Sequence, residues 1–473
     1  MKINRLLSLF LLLGIYLSAD AKIVLPGLFS DNMVLQQSAR TNIWGKAKAN
    51  ANISIKCSWS GKIVTTKSNE DGNWKTQLTT PAASYTPQTL IISDGEALKV
   101  NNILIGEVWM CSGQSNMEIT LNGFWNCPIA NANELIAEAG THKGIRCLKV
   151  EKKGAMTPQD HCNGSWKVSN SKNAGDFSAT AYHFAIELNK VLDVPVGILV
   201  CSWGGSTVEG WLPENILKGY SDIDLKKMES KTYTEWMKPE IMYNGMLHPI
   251  IGYTVKGFLW YQGESNVGRA STYADRLATM AKLWRDSWCE GDIPFYLVEI
   301  APYQYGGDGI SAAFLREAQY KASQIIPNSG IACTNDLVES YEQNNIHPKE
   351  KEQIGKRLCY LALANTYKME GISANSPSFK SMEIKEGRAI LSFNHITDGF
   401  NRLDGMEGFE VAGADKVFHS AKAKMVNNLQ IEVSSSEVTE PLAVRYCFKN
   451  FQPGNVKNTR GLPLIPFRTD NWQ

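Results

Sequence analysis

The 473-residue chain has almost no net charge: 48 Lys and Arg against 47 Asp and Glu leave +1. That removes the broad electrostatic field by which proteins hold nucleic acid or an anionic membrane surface. Long basic runs, low-complexity segments and repeats at solenoid or propeller spacing are also missing, which excludes tail-mediated binding and repeat architectures. Ten cysteines are present, but none is paired as C-x-x-C, so zinc-type ligation has no support. Most of them sit in apolar stretches and read as buried thiols acting as small hydrophobes. Cys127 and Cys162, in polar and loop-like surroundings, are the two expected to be bridged. No apolar run reaches the ~20 residues needed to span a bilayer.

The longest such run is N-terminal. Lys2 and Arg5 precede an apolar stretch from Leu6 to Leu17, and Ser18-Ala19-Asp20-Ala21 follows with small residues at A-x-A spacing. The pattern predicts a secretory signal over residues 1–21, cleaved after Ala21, and hence a periplasmic or extracellular protein.

Three regions follow. Over 22–102 the pattern is β: Ile53, Ile55 and Cys57 alternate with polar residues, and Asp71-Gly72-Asn73 marks a turn. A small sandwich is expected there. Over 103–370, buried strand-like runs (Ile103–Cys111, Ile145–Val150, Val196–Cys201, Thr254–Tyr261, Phe295–Ile300, Gly330–Thr334) alternate with helix-period segments. In these, Ala181, Phe184, Leu188 and Val191 share one face, as do Ile354, Leu358 and Leu361. This predicts an α/β domain with a mainly parallel sheet flanked by helices. Over 371–473 alternation returns at Leu429, Ile431 and Val433, predicting a second β-sandwich-like domain.

In a parallel sheet the loops that carry chemistry follow the C-terminal ends of the strands. One such loop is Ser112-Gly113-Gln114-Ser115-Asn116-Met117, whose tight turn exposes a serine and its N–H at the sheet edge. A second is Trp203-Gly204-Gly205-Ser206-Thr207, where glycines allow close backbone approach, whether to a ligand or simply to make the turn. A third is Gln262-Gly263-Glu264-Ser265-Asn266, in which Gln262 carries a side-chain donor and Glu264 reads as a loop brace. Late in the chain, Asn344-Asn345-Ile346-His347-Pro348 places a histidine just before a helix, where a serine nucleophile would find its general base. His248, also followed by proline, is the rival. Any of these taken singly is as readily structural as functional.

Taken in order, the stretches form a longer pattern. They are Leu28-Phe29-Ser30-Asp31-Asn32-Met33-Val34-Leu35-Gln36, Gly106-Glu107-Val108-Trp109 into Gly113-Gln114-Ser115-Asn116-Met117, Trp203-Gly204-Gly205-Ser206, and Tyr243-Asn244-Gly245-Met246. Trp260-Tyr261-Gln262-Gly263-Glu264-Ser265-Asn266, Ile346-His347-Pro348, and a terminal Gly461-Leu462-Pro463 with Pro466-Phe467-Arg468-Thr469-Asp470 complete it. The ensemble resembles the SGNH-type serine hydrolases, and within them the sialate O-acetylesterase family with its carbohydrate acetyl esterase relatives.

The resemblance implies Ser115 as nucleophile and His347 as base. It implies an oxyanion hole from the Ser115 N–H, the Gly205 N–H (Gly204 as fallback) and the Gln262 side chain. It implies hydrolysis of O-acetyl esters on sugars, O-acetylated sialic acid first, with no cofactor and no metal. Acetylated xylan or another polysaccharide is the alternative substrate, and a non-catalytic glycan-binding protein the alternative class. One departure stands out: relatives of this type often carry an Asp two or three residues before the histidine, where this chain has Asn345 and Asn344. An amide accepts a hydrogen bond but cannot bear the charge. Either a Ser–His dyad operates, with Asn345 at most an acceptor, or Asp336, Glu339 or Glu342 supplies the acid.

Overall fold

The computed structural model describes residues 22–396 and 398–472, so the expected signal at 1–21 lies outside the described residues. The chain is a mixed α/β protein with a central, mainly parallel sheet and separate antiparallel sheets. The central strands are β1 (Ala97–Gly113), β2 (Ile145–Lys149), β3 (Trp166–Val168), β4 (Val196–Ser202), β5 (Gly257–Tyr261), β6 (Phe295–Val298) and β7 (Ser329–Ala332), in the order β7-β6-β5-β1-β4-β2-β3. All neighbours are parallel except the edge strand β3, which is antiparallel to β2.

The sequence of the inner strands explains their place. Every residue of β4 and β5 is buried, as a strand covered on both faces requires. Alternate residues serve two cores. Val108, Met110, Leu199, Phe258, Trp260 and Leu297 pack on one face against Leu277, Met280 and Trp284 of α2 (Ala270–Trp288) and Leu315 of α3 (Ser311–Ile325). On the other face, Trp109, Cys111, Ile198, Val200, Leu259 and Tyr261 pack against Tyr182, Phe184 and Leu188 of α1 (Ala179–Leu192) and Ile354, Leu358 and Leu361 of α4 (Glu352–Leu361). Ser178 caps α1 by accepting the Ala181 N–H. Val191, expected on its buried face, is exposed in the last turn.

The N-terminal strands do not stand apart from this sheet. β1 runs unbroken from 97 to 113, pairing first with the antiparallel strand Ser84–Ser93 and then, farther on, with β4 and β5. Arg40–Lys46 and Asn73–Thr79 form a separate ribbon, and its Ile43, Trp74 and Leu78 share a core with Ile53, Ile55, Leu90 and Ile92. Beyond 377, two four-stranded antiparallel sheets enclose a core that includes Leu391, Val411, Ile431, Val433, Val444 and Tyr446. This C-terminal part is tied back by Arg468 to Glu317 and by Lys457 to Asp336.

All ten cysteines are free, which corrects the expectation of a bridge at Cys127 or Cys162. Cys162 is buried, and the Cys127 thiol faces a histidine.

Candidate active site

Register brings the expected loops together. Gly113, the last residue of β1, is directly paired with Ser202 of β4 on one side and Tyr261 of β5 on the other. Three strand ends therefore lie abreast, and the loops that follow them begin within one strand spacing of each other. Gly113 has φ +133°, and a Cβ there would lie 2.0 Å from the Tyr261 carbonyl oxygen. Only glycine permits that closeness.

Ser115 opens a four-residue helical turn, Ser115–Glu118. Its hydroxyl and its backbone N–H make no hydrogen bond to protein among the described residues. The turn is held by Gln114, whose side-chain oxygen accepts the Gly263 and Ser265 N–H groups, so the first and third loops are stitched together. The second loop comes close as well: a Cβ on Gly204 would sit 3.4 Å from that of Ser115. The two glycines then differ. Gly204 N–H donates to the Glu118 carboxylate at 2.6 Å, whereas Gly205 N–H has no protein acceptor among the described residues. Gly205 adopts φ +76°, and its carbonyl accepts the Ser265 hydroxyl at 2.9 Å.

His347 arrives from the segment between β7 and α4. Two contacts anchor it beside the serine loop: Asn116 donates from Nδ2 to the Ile346 carbonyl at 3.0 Å, and Lys351 donates from Nζ to Asn116 Oδ1 at 2.9 Å. Asn116 also donates to Glu264 at 2.6 Å, so one amide links all three segments. Lys351 is fully buried, and burial pushes its ammonium down to about 8 against the opposing charge of Glu264. Such a buried cation persists only with its partners in place. Burial raises Glu264 in turn, with Asn116 opposing.

The imidazole itself is neutral near pH 7. Burial, followed by the positive charge of Lys351, pushes His347 down to about 4, and Glu118 acts in the other direction. Nδ1 faces the Cys127 thiol at 3.7 Å, Phe124 packs edge-on against the ring, and Nε2 has no protein partner among the described residues.

Not every expected residue has its expected job. Gln262 is fully buried; its amide donates to the Ser206 carbonyl and to Asn266 Oδ1, and its oxygen accepts the Tyr273 hydroxyl. Both amide hydrogens are engaged in this structure, where Gln262 braces the second and third loops. Asp336 is held by a two-pronged pair with Arg357 and by Lys457, and makes no hydrogen bond to His347. Glu342 caps its own turn and accepts the Lys349 N–H, while Glu339 forms the other half of that capping box. Asn345 accepts the backbone N–H of His347, not its ring. The rival His248 meets the Gln159 carbonyl at 2.8 Å and lines a cavity of about 340 Å³ with Trp44, Trp74 and Lys75.

The residues that sequence reasoning passed over are Glu118, Asn116, Lys351 and Cys127. Glu118 had a signal: three residues after Ser115 on a helical turn, it shares that residue's face. The other three act through contacts more than 200 positions apart, which local spacing does not encode.

Comparison with known proteins identifies the scaffold. Residues 105–364 match the family model described as carbohydrate esterase, sialic acid-specific acetylesterase. The chain belongs to that family. A solved carbohydrate acetylesterase from Xanthomonas citri superposes with a TM-score of 0.84 at 33% identity, covering 95% of this chain and all of the other. The sialate O-acetylesterase of Homo sapiens is 26% identical over 321 residues, or 63% of this chain. That of Rattus norvegicus is 26% identical over 428 residues and 78% of each chain. The match spans 60% of the length of the human relative. In this member of the family, the matched segment contains the whole cluster from Gln114 to Lys351.

Proposed function

We propose that this protein is a serine esterase of the SGNH type that removes acetyl groups from sugars, with O-acetylated sialic acid as the first substrate. The observation that carries the reading is that strand register brings to one sheet edge the Ser115 and Gly205 loops, whose Ser115 hydroxyl and Gly205 N–H have no protein partner among the described residues, while the neutral His347 imidazole is anchored beside the Ser115 loop. The family match and the likeness to the Xanthomonas citri carbohydrate acetylesterase support the choice of acetylated carbohydrate.

In this mechanism His347 Nε2 takes the Ser115 proton as Oγ attacks the acetyl carbonyl. The oxyanion that forms is received by the Ser115 and Gly205 N–H groups. The tetrahedral intermediate expels the sugar oxygen, which leaves with the proton from Nε2. Water, deprotonated by the same nitrogen, then clears the acetyl-serine and releases acetate.

The reading includes export, through the pattern at residues 1–21. Protein recovered from outside the cytoplasm and sequenced from its N-terminus is expected to begin at Lys22.

The deciding test is acetate release by wild type, Ser115→Ala and His347→Ala on acetylated sialic acid and acetylated xylan. Release from sialic acid, abolished in both variants, is the expected result. Release from xylan alone moves the substrate to plant polymer. Full activity in a folded Ser115→Ala protein overturns the mechanism, and no release by wild type from either sugar points to a glycan-binding role.

A further inference from the structure

An imidazole that works as a base through Nε2 needs its other nitrogen held as Nδ1–H, and the partner of Nδ1 sets that tautomer. Here no carboxylate hydrogen-bonds the His347 ring among the described residues; the acids expected nearby, Asp336, Glu339 and Glu342, are all engaged elsewhere. What stands at Nδ1 is the Cys127 thiol, 3.7 Å away. The thiol in turn donates to Asn345 Oδ1 at 3.4 Å, and the same oxygen accepts the His347 backbone N–H at 3.0 Å.

That second bond is informative. An amide oxygen only accepts, so the hydrogen between Cys127 and Asn345 belongs to sulfur. A thiol has a single hydrogen. With it directed at Asn345, sulfur can meet Nδ1 only as an acceptor, which leaves the proton on Nδ1 and the lone pair on Nε2.

The loop that delivers the thiol is built for the task. Phe124 and Cys127 exchange backbone hydrogen bonds at 3.1 and 2.9 Å, closing a tight hairpin, and Gly123 enters it at φ +74°. One hairpin thus supplies both the Phe124 ring that packs on the imidazole and the sulfur that meets Nδ1.

We infer that Cys127, backed by Asn345, is the positioning residue of His347 and stands in for the acid of a Ser–His–acid triad. Resting on the esterase reading, the proton path is closed. Nε2 gains the Ser115 proton and later returns it to the leaving alkoxide, Nδ1–H remains on its nitrogen throughout, and the thiol keeps its own hydrogen on sulfur, donated to Asn345 Oδ1. Burial, which raises the thiol's pKa with Lys351 opposing, favours that protonated form. A neutral sulfur stabilises imidazolium less than a carboxylate does, so an introduced acid should accelerate the enzyme.

Two measurements test this. The first reads the ring directly: ¹⁵N shifts of histidine-labelled protein at pH 7, with His347 assigned by its absence in His347→Gln. Wild type is expected as the Nδ1–H tautomer and Cys127→Ala as a mixture. A wild-type ring protonated on Nε2, or a tautomer unmoved by Cys127→Ala, overturns the proposal. This arm needs no turnover, so it stands even if the esterase reading fails.

The second is the pH–rate profile on 4-nitrophenyl acetate. Cys127→Ala should lower kcat about 10- to 100-fold with KM changed less than threefold. Cys127→Ser should recover part of the loss, and Asn345→Asp should raise both kcat and the acid-limb pKa. A folded Cys127→Ala protein with wild-type kcat and an unmoved acid limb would reduce the thiol to packing.

Discussion

The Glu118 carboxylate accepts the Gly204 N–H at 2.6 Å and the Lys152 ammonium at 2.7 Å, one helical turn after Ser115. This bond distinguishes two adjacent glycines, because it engages the N–H of the first, whereas that of the second has no protein acceptor among the described residues. Glu118 is also the negative charge that raises His347 against burial and Lys351. Glu118→Gln keeps an acceptor for Gly204 and removes the charge. The expected outcome is a His347 pKa lower than in wild type and a kcat reduced roughly tenfold, since imidazolium loses the negative charge that favours it. A pH–rate profile that does not move would assign Glu118 to loop shape alone.

The rate should be insensitive to pH around neutrality. A base works when unprotonated, and His347 is held down to about 4, so kcat/KM is expected flat from mildly acidic to neutral pH and to fall as pH drops through about 4. An acid limb near the ordinary histidine value of about 6.5 would contradict the burial argument.

Asp336 is expected to matter for stability and not for chemistry. Burial would raise its pKa, but the hydrogen bonds and charges of Arg357 and Lys457 outweigh that and hold it below the usual carboxylate range. A depressed folded pKa means stability present above the unfolded value of about 3.9 and lost as pH falls through the folded one. Asp336→Ala leaves Arg357 unpaired in the interior and should cost roughly 3–5 kcal/mol, read as a fall in denaturation midpoint. Selective loss of kcat without destabilisation would restore Asp336 as a triad member.

The glycines offer a graded test. Gly113→Ala puts a methyl 2.0 Å from a carbonyl at φ +133° and is expected to yield misfolded or strongly destabilised protein. Gly205→Ala, at φ +76° with a Cβ 2.5 Å from the exposed indole of Trp236, should be intermediate. Gly204→Ala meets nothing nearer than 3.3 Å and should melt within a few degrees of wild type. Thermal melts of the three, ranked in any other order, would refute the geometry of this edge.

Much of this was legible in the chain. Strands such as Val196–Ser202 announce themselves because burial on both faces demands an unbroken apolar run, and α4 because Ile354, Leu358 and Leu361 recur at helical spacing. The loops of Ser115 and Gly205 stood out because strand-end loops of small and polar residues are where an α/β sheet exposes chemistry, and the structure places both of them and the His347 segment at one sheet edge. The partners of Gln262 were not legible: spacing does not show that Ser206 and Asn266 take both of its amide hydrogens. The continuity of β1 through position 102 was likewise hidden, since the pattern changes at Ile103 from partly exposed to fully buried residues and so reads as a boundary between regions.

The sequence by itself determined the elements and the order of the loops, because periodicity and turn chemistry are local properties; the roles proposed for Ser115 and His347 came with the family resemblance. Only the tertiary structure decided who partners whom. That Cys127 meets His347, that Lys351 reaches Asn116, and that Glu118 takes one glycine and not the other all depend on register between β5, β1 and β4 and on a hairpin folding back on a distant loop. Those contacts join residues 86 to 235 positions apart, a span over which spacing along the chain carries no geometric information.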